Sequence, residues 1–436
     1  MARLLFYVFR ESGHVSPTIK LARALAAAGH ELRFLVTADW APVINARGFE
    51  AQIFMESVYP AGTEARWRSM SPTARAEDAE RRRQGRMDFF LRGAMDPVLT
   101  GAGADLILAD VCHYSAPMIA RRHGLRLAHY STTMLQARAP GIPPLSSGIP
   151  WRAGDPASAA AADDAWAELL AEREAARARD PYVDSYVRYV EAMADAYAYP
   201  RALYSWEAAI VPDFPEVPQL VLCPAALDYP RATPPRRELD VPSIEPRDDH
   251  LEGALAGVGE ARPLVYCALG SQVAWRPAYR AVYDLILAAA ARMAWVDFVI
   301  SVGPDWVDRY REVAPANAIV VDHAPQHALL RRARAMIGSA GLGSVKECAS
   351  FGVPMLLIPG PEGYDPPGNA ARASFRGVAR VLPREALGVD ALVEGIEALL
   401  GGEHDEAARA LQREVAAVEA GIDDAVARVE RLISGE

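Results

Sequence analysis

The sequence has few lysines, no long apolar run and no paired metal-ligand motif. Only two of its 46 basic residues, Lys20 and Lys346, are lysines, and arginine supplies the others. No stretch of about eighteen apolar residues occurs, and the chain starts at a strand-like run, so we expect neither a transmembrane helix nor a signal peptide. The four cysteines contain no Cys-x-x-Cys pair, which argues against structural zinc and indicates a reducing, cytoplasmic location.

The charge balance argues against a nucleic-acid partner. The chain has 46 basic and 56 acidic residues, a net charge of −10, and no concentrated basic stripe that could follow a phosphate backbone. Its 51% hydrophobic and 23% charged residues are the proportions of an ordinary folded protein, which excludes disorder and a membrane bundle. At about 150 residues per domain, the chain of 436 residues suffices for two large α/β domains.

Apolar runs alternate with helical segments in both halves of the chain. In the first half, strands are predicted at 4–9 and 31–37, and the helix between them is expected to begin at Pro17 and end at Gly29. The pattern predicts an α/β protein with two facing Rossmann-like domains, each a mainly parallel sheet flanked by helices. In the second half, five short apolar runs are each followed by a turn or a helix: 263–269, 296–302, 318–321, 335–337 and 354–358.

Composition divides the chain into four parts. A first domain is predicted over 1–225, with a helical insertion at about 153–199 that is rich in alanine and tyrosine. Residues 226–262 are rich in proline and charge, which is typical of an exposed interdomain linker. The second domain is predicted over 263–414. The C-terminal helix, 415–436, continues a helical pattern that is predicted as one helix over 405–433.

Ligands of parallel sheets bind beyond the carboxyl ends of the strands, and two loops there carry candidate catalytic residues. The loop from Gly13 to Pro17 contains His14, whose imidazole could take a proton from a hydroxyl. A surface histidine that only caps the loop is the alternative. Asp110, at the end of another apolar run, could accept the N–H of His14, or it could cap the helix that follows. These residues alone leave both assignments open.

A third loop, 338–344, consists of small residues and leads into a helix predicted over 345–351. Backbone N–H groups of such a loop can approach a phosphate, and the helix dipole favours negative charge there. A tight turn with close packing explains the glycines equally well. Glu347, one turn into the helix, could bind ribose hydroxyls or complement the dipole as an acid of the first turn.

In this order and spacing, the three loops resemble the family-1 glycosyltransferases of the GT-B fold, which include bacterial natural-product enzymes and plant UDP-sugar enzymes. The resemblance covers nearly the whole chain. It implies that His14 is the catalytic base, that Asp110 is its partner, and that the C-terminal helix packs back on the first, acceptor-binding domain. The second domain would bind the nucleotide sugar. The positions implied for that ligand are Gly13, Ser271, Val302, His323, Ala324, Gln326, Ser339, Gly341, Gly343, Ser344, Glu347, Asp365 and Asn369.

Three positions depart from the family's pattern. Ser339 stands where the family usually has a histidine on the pyrophosphate, so this position can donate a hydrogen bond but cannot carry a positive charge. His323 replaces the tryptophan that often stacks on the base, and imidazole offers less stacking area. Pro366 replaces the glutamine that commonly contacts the sugar. The departures bear on the choice of donor and on the rate.

The resemblance implies an inverting, metal-independent glycosyltransferase that needs no cofactor besides its nucleotide-sugar co-substrate, and the sequence has no Asp-x-Asp motif. UDP is favoured over thymidine diphosphate, because Glu347 as a buried acceptor is best satisfied by two ribose hydroxyls. The acceptor is expected to be small and hydrophobic or aromatic, such as a natural product of bacterial antibiotic biosynthesis. The candidate acceptor-binding residues are Phe89, Phe90, Trp151 and Tyr186, although a helical stripe of tyrosines also fits simple packing.

Two other functions stay open. The same fold hosts sugar-nucleotide 2-epimerases, which need no acceptor pocket, and the aromatic insertion favours the transferase over them. A non-catalytic nucleotide-sugar-binding protein would need neither His14 nor Asp110. The sequence indicates small-molecule partners only, without nucleic acid or membrane insertion, and it leaves the oligomeric state open.

Overall fold

A computed structural model describes residues 1–177, 186–232, 237–247, 249–270, 279–360 and 363–435 of the chain. Its framework is two parallel sheets, each of six strands among the described residues. The strands of the first sheet are β1 (Arg3–Tyr7), β2 (Glu31–Val36), β3 (Glu50–Ile53), β4 (Leu106–Asp110), β5 (Leu127–Ser131) and β6 (Gln219–Val221). They lie in the order β3-β2-β1-β4-β5-β6.

The second sheet repeats this architecture with the later part of the chain. Its strands are β7 (Leu264–Ala268), β8 (Asp297–Ser301), β9 (Ala318–Val321), β10 (Ala333–Gly338), β11 (Met355–Leu357) and β12 (Ala379–Val381). The order is β12-β11-β10-β7-β8-β9, and every strand pair in both sheets is parallel. The predicted α/β class with two sheets flanked by helices is confirmed.

Helices cover the sheets and bury their strands. In the first half they are α1 (Ser12–Ala27), α2 (Ala41–Asn45), α3 (Thr63–Ser69), α4 (Pro72–Leu91), α5 (Asp96–Gly101), α6 (Ala116–His123), α7 (Pro156–Arg177) and α8 (Tyr186–Ala196). In the second half they are α9 (Tyr279–Arg292), α10 (Val307–Val313), α11 (Gln326–Leu330), α12 (Leu342–Phe351), α13 (Pro366–Phe375), α14 (Val389–Leu400), α15 (Asp405–Ala420) and α16 (Ile422–Ser434). Because both faces are covered, central strands are continuously apolar, and all five residues of β4 are buried.

Three helices differ from the sequence prediction at their ends, and one of them is α12, which begins at Leu342 instead of at residue 345. Helix α1 begins at Ser12, so Pro17 lies inside it instead of opening it. The proline lacks only the N–H that would reach the carbonyl of Gly13, and the helix continues through it. The single helix predicted over 405–433 is α15 and α16, which are separated at Gly421, because glycine in a helix interior costs about 1 kcal/mol relative to alanine.

Helix α16 returns to the first sheet. Its buried residues Ala425, Val426 and Val429 lie in the same apolar cluster as Phe6 of β1 and Leu21 of α1. Among the described residues, no helix combines the length and the apolarity that crossing a bilayer requires.

The two lysines of the chain take part in one hydrogen-bond network around Ser243, at the junction between the halves. Lys20 of α1 donates to the Glu419 carboxylate at 2.6 Å, and that carboxylate also accepts the N–H of Ser243 at 3.0 Å. The hydroxyl of Ser243 in turn accepts from the buried ammonium of Lys346 at 2.8 Å. The 243 segment is therefore held by α1, α12 and α15 together.

A buried ion pair joins α13 to the segment that follows β6. The Nε atom of Arg372 lies 2.5 Å from the Asp228 carboxylate, and its guanidinium stacks over the Tyr229 ring at 4.4 Å. Only 1% of the Arg372 side chain is exposed. One turn earlier, Gly368 approaches the first half so closely that a Cβ atom there would overlap the carbonyl of Leu145.

Replacing Asp228 by alanine is expected to lower the free energy of unfolding by about 3–5 kcal/mol, because a buried guanidinium loses its carboxylate. The melting temperature measures this loss. The matched control is Asp390→Ala, which removes the partner of Arg292 where 92% of the aspartate is exposed and solvent screens the pair. Equal melting temperatures for the two variants would contradict the structural role of Asp228.

Candidate active site

The carboxyl ends of the two sheets face each other across a cleft of about 1270 Å³. A pocket for one drug-sized ligand occupies about 300–1,000 Å³, so this cleft is larger than such a pocket. Its lining comes from the loops after β1, β3 and β4 on one side and from the loops after β7, β8, β9, β10 and β11 on the other.

His14 and Asp110 form a hydrogen-bonded pair at the first sheet. His14 lies in the first turn of α1, and its Nδ1 atom is 2.8 Å from Oδ2 of Asp110. The hydroxyl of Thr132 lies 3.2 Å from the same nitrogen. The other carboxylate oxygen, Oδ1, accepts the N–H of Cys112 at 2.9 Å. The helix after β4 starts only at Ala116, so Asp110 does not cap it, and Nε2 of His14 is left to face the cleft.

Each residue of the pair favours the charged form of the other. Burial alone would lower the pKa of His14, but the charge and hydrogen bond of Asp110, with smaller contributions from Glu11 and Asp365, raise the pKa to about 9. Burial would likewise raise the pKa of Asp110, and the charge and hydrogen bond of His14 hold that pKa below its usual value. The neighbouring His113 differs, because burial lowers its pKa to about 4 and keeps its imidazole neutral.

The 338–344 loop places the start of α12 at the cleft. Gly341 is the N-cap of this helix, and Gly341, Gly343 and Ser344 all line the cleft. The first N–H groups of a helix have no partner within it, so those of α12 are available to an anion. Ser339 also lies at the cleft, but its hydroxyl donates to the carbonyl of Leu269 at 2.9 Å. The hydrogen bond that the sequence assigned to Ser339 for a phosphate is therefore made within the protein.

Glu347 lies at the cleft with its carboxylate already engaged. One oxygen accepts from the side-chain amide of Gln326, and the other accepts from Arg247 at 3.3 Å. The imidazole of His327 lies 3.4 Å from that second oxygen. Burial would raise the pKa of Glu347, but His327, Arg247 and Gln326 outweigh it and keep the pKa below its usual value. The carboxylate is ionised and has hydrogen-bond donors before any nucleotide binds.

Asp365 and Asn369 have different positions relative to the cleft. Asp365 is the N-cap of α13 and lines the cleft, followed directly by Pro366 at a position that favours proline in a helix. Asn369 is fully buried and donates to Asp365 at 2.7 Å and to the carbonyl of Ala340 at 3.0 Å. Asn369 therefore does not reach a ligand as the sequence predicted; it fixes Asp365 and the turn before α12.

The other predicted donor residues are placed as follows. Gly13, Val302, His323, Ala324 and Gln326 line the cleft, and 80% of the His323 side chain is exposed. The hydroxyl of Tyr266 donates to Gln326 at 3.0 Å. Ser271 lies outside the described residues.

Of the three predicted acceptor residues whose side chains the structure describes, one lies in the cleft. Phe90 lines it, whereas Phe89 packs against the edge of the Phe90 ring at 5.7 Å and is not part of the lining. Trp151 was also predicted wrongly, because its ring packs on Tyr229 and Phe375 at 4.8 and 5.2 Å. The side chain of Tyr186 lies outside the described residues.

Sequence reasoning missed most of the aromatic wall of the first half. This wall comes from loops and from two helices, so no hydrophobic period marks it. Its arginines stand in charged segments that look like solvated surface. The residues missed at this wall are Phe9, Arg10, Phe54, Tyr59, Arg86, His113 and Tyr114, whereas Tyr189 belongs to the tyrosine-rich helix that the sequence offered as a candidate wall.

Comparisons with known proteins agree with this architecture. Residues 287–430 match the family described as the C-terminal domain of erythromycin biosynthesis protein CIII-like proteins. Oleandomycin glycosyltransferase of Streptomyces antibioticus is 27% identical over 421 residues, which is 94% of this chain and 86% of the relative.

Solved structures extend the agreement over the whole fold. The structure of the glycotransferase of kitacinnamycin superposes with a TM-score of 0.69 at 21% identity, covering 99% of each chain. The glycosyltransferase VinC in complex with DTDP gives a TM-score of 0.65 at 18% identity, covering 100% of each chain. The matched C-terminal region and the relative show that the chain is similar to bacterial natural-product glycosyltransferases, and the solved structures show that it shares their fold.

Proposed function

We propose that the protein moves a sugar from a nucleotide diphosphate to a hydroxyl of a small hydrophobic or aromatic natural product, with inversion and without a metal ion. The observation that carries the proposal is the His14–Asp110 pair, which faces the start of α12 across the cleft. The four free cysteines fit the cytoplasmic location that the sequence predicts.

The acceptor hydroxyl is proposed to bind at Nε2 of His14. That nitrogen takes the proton while the oxygen forms a bond to the anomeric carbon, and the bond from that carbon to the diphosphate breaks with its electron pair. Asp110 holds the imidazole in the required tautomer and stabilises the imidazolium that forms. Because His14 and α12 belong to opposite sides of the cleft, the attacking and leaving oxygens lie on opposite faces of the sugar, which inverts the configuration.

The departing diphosphate is stabilised by the start of α12. The free N–H groups of its first turn and the hydroxyl of Ser344 face the cleft, and the helix dipole adds favourable potential. Ser339 contributes its position in the turn and not a donor, since its proton is held by Leu269. Among the described residues, one cluster could hold a metal through three side chains, and its histidine and aspartate form the proposed base pair. The leaving charge is thus met by the protein's own donors.

The donor half is proposed to accept thymidine as well as uridine nucleotides. The sequence favoured UDP because a sugar ring that lacks one ribose hydroxyl would leave the Glu347 carboxylate without a hydrogen-bond donor. Each oxygen of Glu347 already accepts a hydrogen bond within the protein, so the missing hydroxyl costs little. The complex of VinC with DTDP gives a precedent at the level of the fold.

The aromatic first half favours a transferase over a sugar-nucleotide 2-epimerase. An epimerase acts on the sugar nucleotide alone and has no use for a second pocket beside it. Here Phe9, Phe54, Tyr59 and Phe90 line the half of the cleft that the nucleotide leaves free. A planar, apolar acceptor fits this wall.

Replacing His14 by alanine is expected to lower kcat about 10²- to 10⁴-fold, because general-base catalysis is worth that much. The affinity for the nucleotide diphosphate, measured by calorimetry, should stay the same and serves as the control. Full turnover by this variant would show that another group is the base.

The pH dependence of kcat/KM tests the same pair. The base must be neutral, so the rate should rise with pH and level off near the His14 pKa of about 9. In Asp110→Asn the raising charge is gone while burial still lowers the His14 pKa, so the midpoint should move to lower pH and the plateau should fall. An unchanged midpoint would contradict the pairing of the two residues.

Nucleotide choice can be measured by thermal shift with UDP, TDP, GDP and ADP at matched concentrations, since a ligand of the folded state raises the melting temperature. UDP and TDP should give similar increases and the purine nucleotides smaller ones. A shift with UDP alone would restore the argument from two ribose hydroxyls. No shift with any nucleotide would overturn the assignment of the donor half.

A further inference from the structure

Arg86 is a cation of the first half of the cleft that has no carboxylate partner among the described residues. It lies on α4 and lines the cleft among tyrosines of four elements. Tyr7 of β1, Tyr59 and Tyr114 of two loops, and Tyr189 of α8 are close enough to interact electrostatically with its guanidinium. Within the described part of the chain, no acid forms an ion pair with Arg86, and its Nε atom is buried without a hydrogen-bond acceptor.

Three neighbouring arginines of α4 do have acidic partners in the same helix. Asp78 lies 2.5 Å from Arg81 and 2.6 Å from Arg82, and Glu80 lies 2.6 Å from Arg83. Arg81, Arg82 and Arg83 thus have an acid of the same helix about one turn away, whereas Arg86, which lines the cleft, has none among the described residues. A partly buried guanidinium without a counter-ion is costly, which is consistent with a partner that is not part of the chain.

The wall around Arg86 also carries an excess of positive charge. The first half contributes four arginines to the lining, Arg10, Arg47, Arg68 and Arg86, but a single carboxylate, Glu11. The chain as a whole carries a net charge of −10. A local excess of positive charge in an acidic protein favours an anionic ligand.

Two more polar atoms beside Arg86 have no partner. The hydroxyl of Tyr7 and the Nε2 atom of His113 are both buried without a hydrogen bond. Their rings are stacked on each other with centroids 3.6 Å apart. A planar guanidinium next to an unused hydroxyl provides the donors that a carboxylate accepts in a forked geometry.

A run of ring contacts leads from the base toward Arg86. The Phe9 ring lies 5.0 Å from His14 and 5.8 Å from His113, and His113 is stacked on Tyr7 beside Arg86. An aromatic system packed against these rings would connect a hydroxyl at His14 to an anionic group at Arg86. The rings between them form the wall against which that system would pack.

We propose that Arg86 binds a carboxylate of the acceptor, so that the acceptor is an aromatic hydroxy acid whose hydroxyl meets His14 and whose carboxylate meets Arg86. This inference rests on the proposed function, because it places the acceptor in the first half of the cleft. Its test depends on binding alone and needs no sugar transfer.

The probes are 6-hydroxy-2-naphthoate and its methyl ester, which share the hydroxyl and the ring but differ in charge. Their dissociation constants are measured by calorimetry with the full chain and TDP present. The wild-type protein should bind the acid about tenfold or more tightly than the ester, as a charge-assisted pair requires. Equal affinities, or tighter binding of the ester, would overturn the proposal without any variant.

Arg86→Gln should abolish the preference for the acid while leaving the affinity for the ester unchanged, and Arg86→Lys should restore part of it. The matched control is Arg68→Gln, which removes an exposed charge of the same wall and should keep the preference. Loss of the preference in the Arg68 variant and not in the Arg86 variants would assign the carboxylate elsewhere. The TDP thermal shift reports separately on the donor half, so a failure of the proposed function is distinguishable from a failure at Arg86.

Discussion

The ion pair between His14 and Asp110 is the interaction around which the molecule is organised. Asp110 is the last residue of β4 and His14 follows β1, and these two strands are neighbours in a parallel sheet. Their carboxyl ends therefore coincide, which brings together two residues 96 positions apart. Full burial of Asp110 makes its charge effective on the imidazole, because little water screens it. The order of the strands therefore brings the two residues together, and the burial of β4 makes the charge of Asp110 effective on His14.

The fold was predictable because alternating apolar runs and helices admit few topologies, and His14 and Asp110 were predictable because such loops meet at one sheet edge. The start of α1 was not predictable, because Pro17 suggested the first position of a helix whereas it lies inside α1. The sequence also could not show which side-chain donors are already used by hydrogen bonds within the protein. Whether Ser339 donates to a ligand or to Leu269 depends on a carbonyl 70 residues away in the chain.

The acceptor half was the least predictable part. Its lining comes from single residues in loops and on helices, where no periodic pattern distinguishes a ligand contact from core packing. Trp151 shows one consequence, because an aromatic residue in the expected loop turned out to pack between the halves. Arg86 shows the other, because it follows three arginines in sequence, and only the structure reveals that those three pair with Asp78 and Glu80 whereas Arg86 has no acid among the described residues.

The contact between Gly368 and the carbonyl of Leu145 restricts how such a molecule can be recombined. Helix α13 carries Asp365 at its start, and the loop that presses on Gly368 belongs to the acceptor side. A hybrid that combined this acceptor half with the donor half of a relative would inherit that loop. Any side chain at the corresponding position would push the start of α13 away and misalign the two substrates. Exchange of halves between such enzymes therefore requires a glycine at this contact, or a junction that transfers the loop together with the helix.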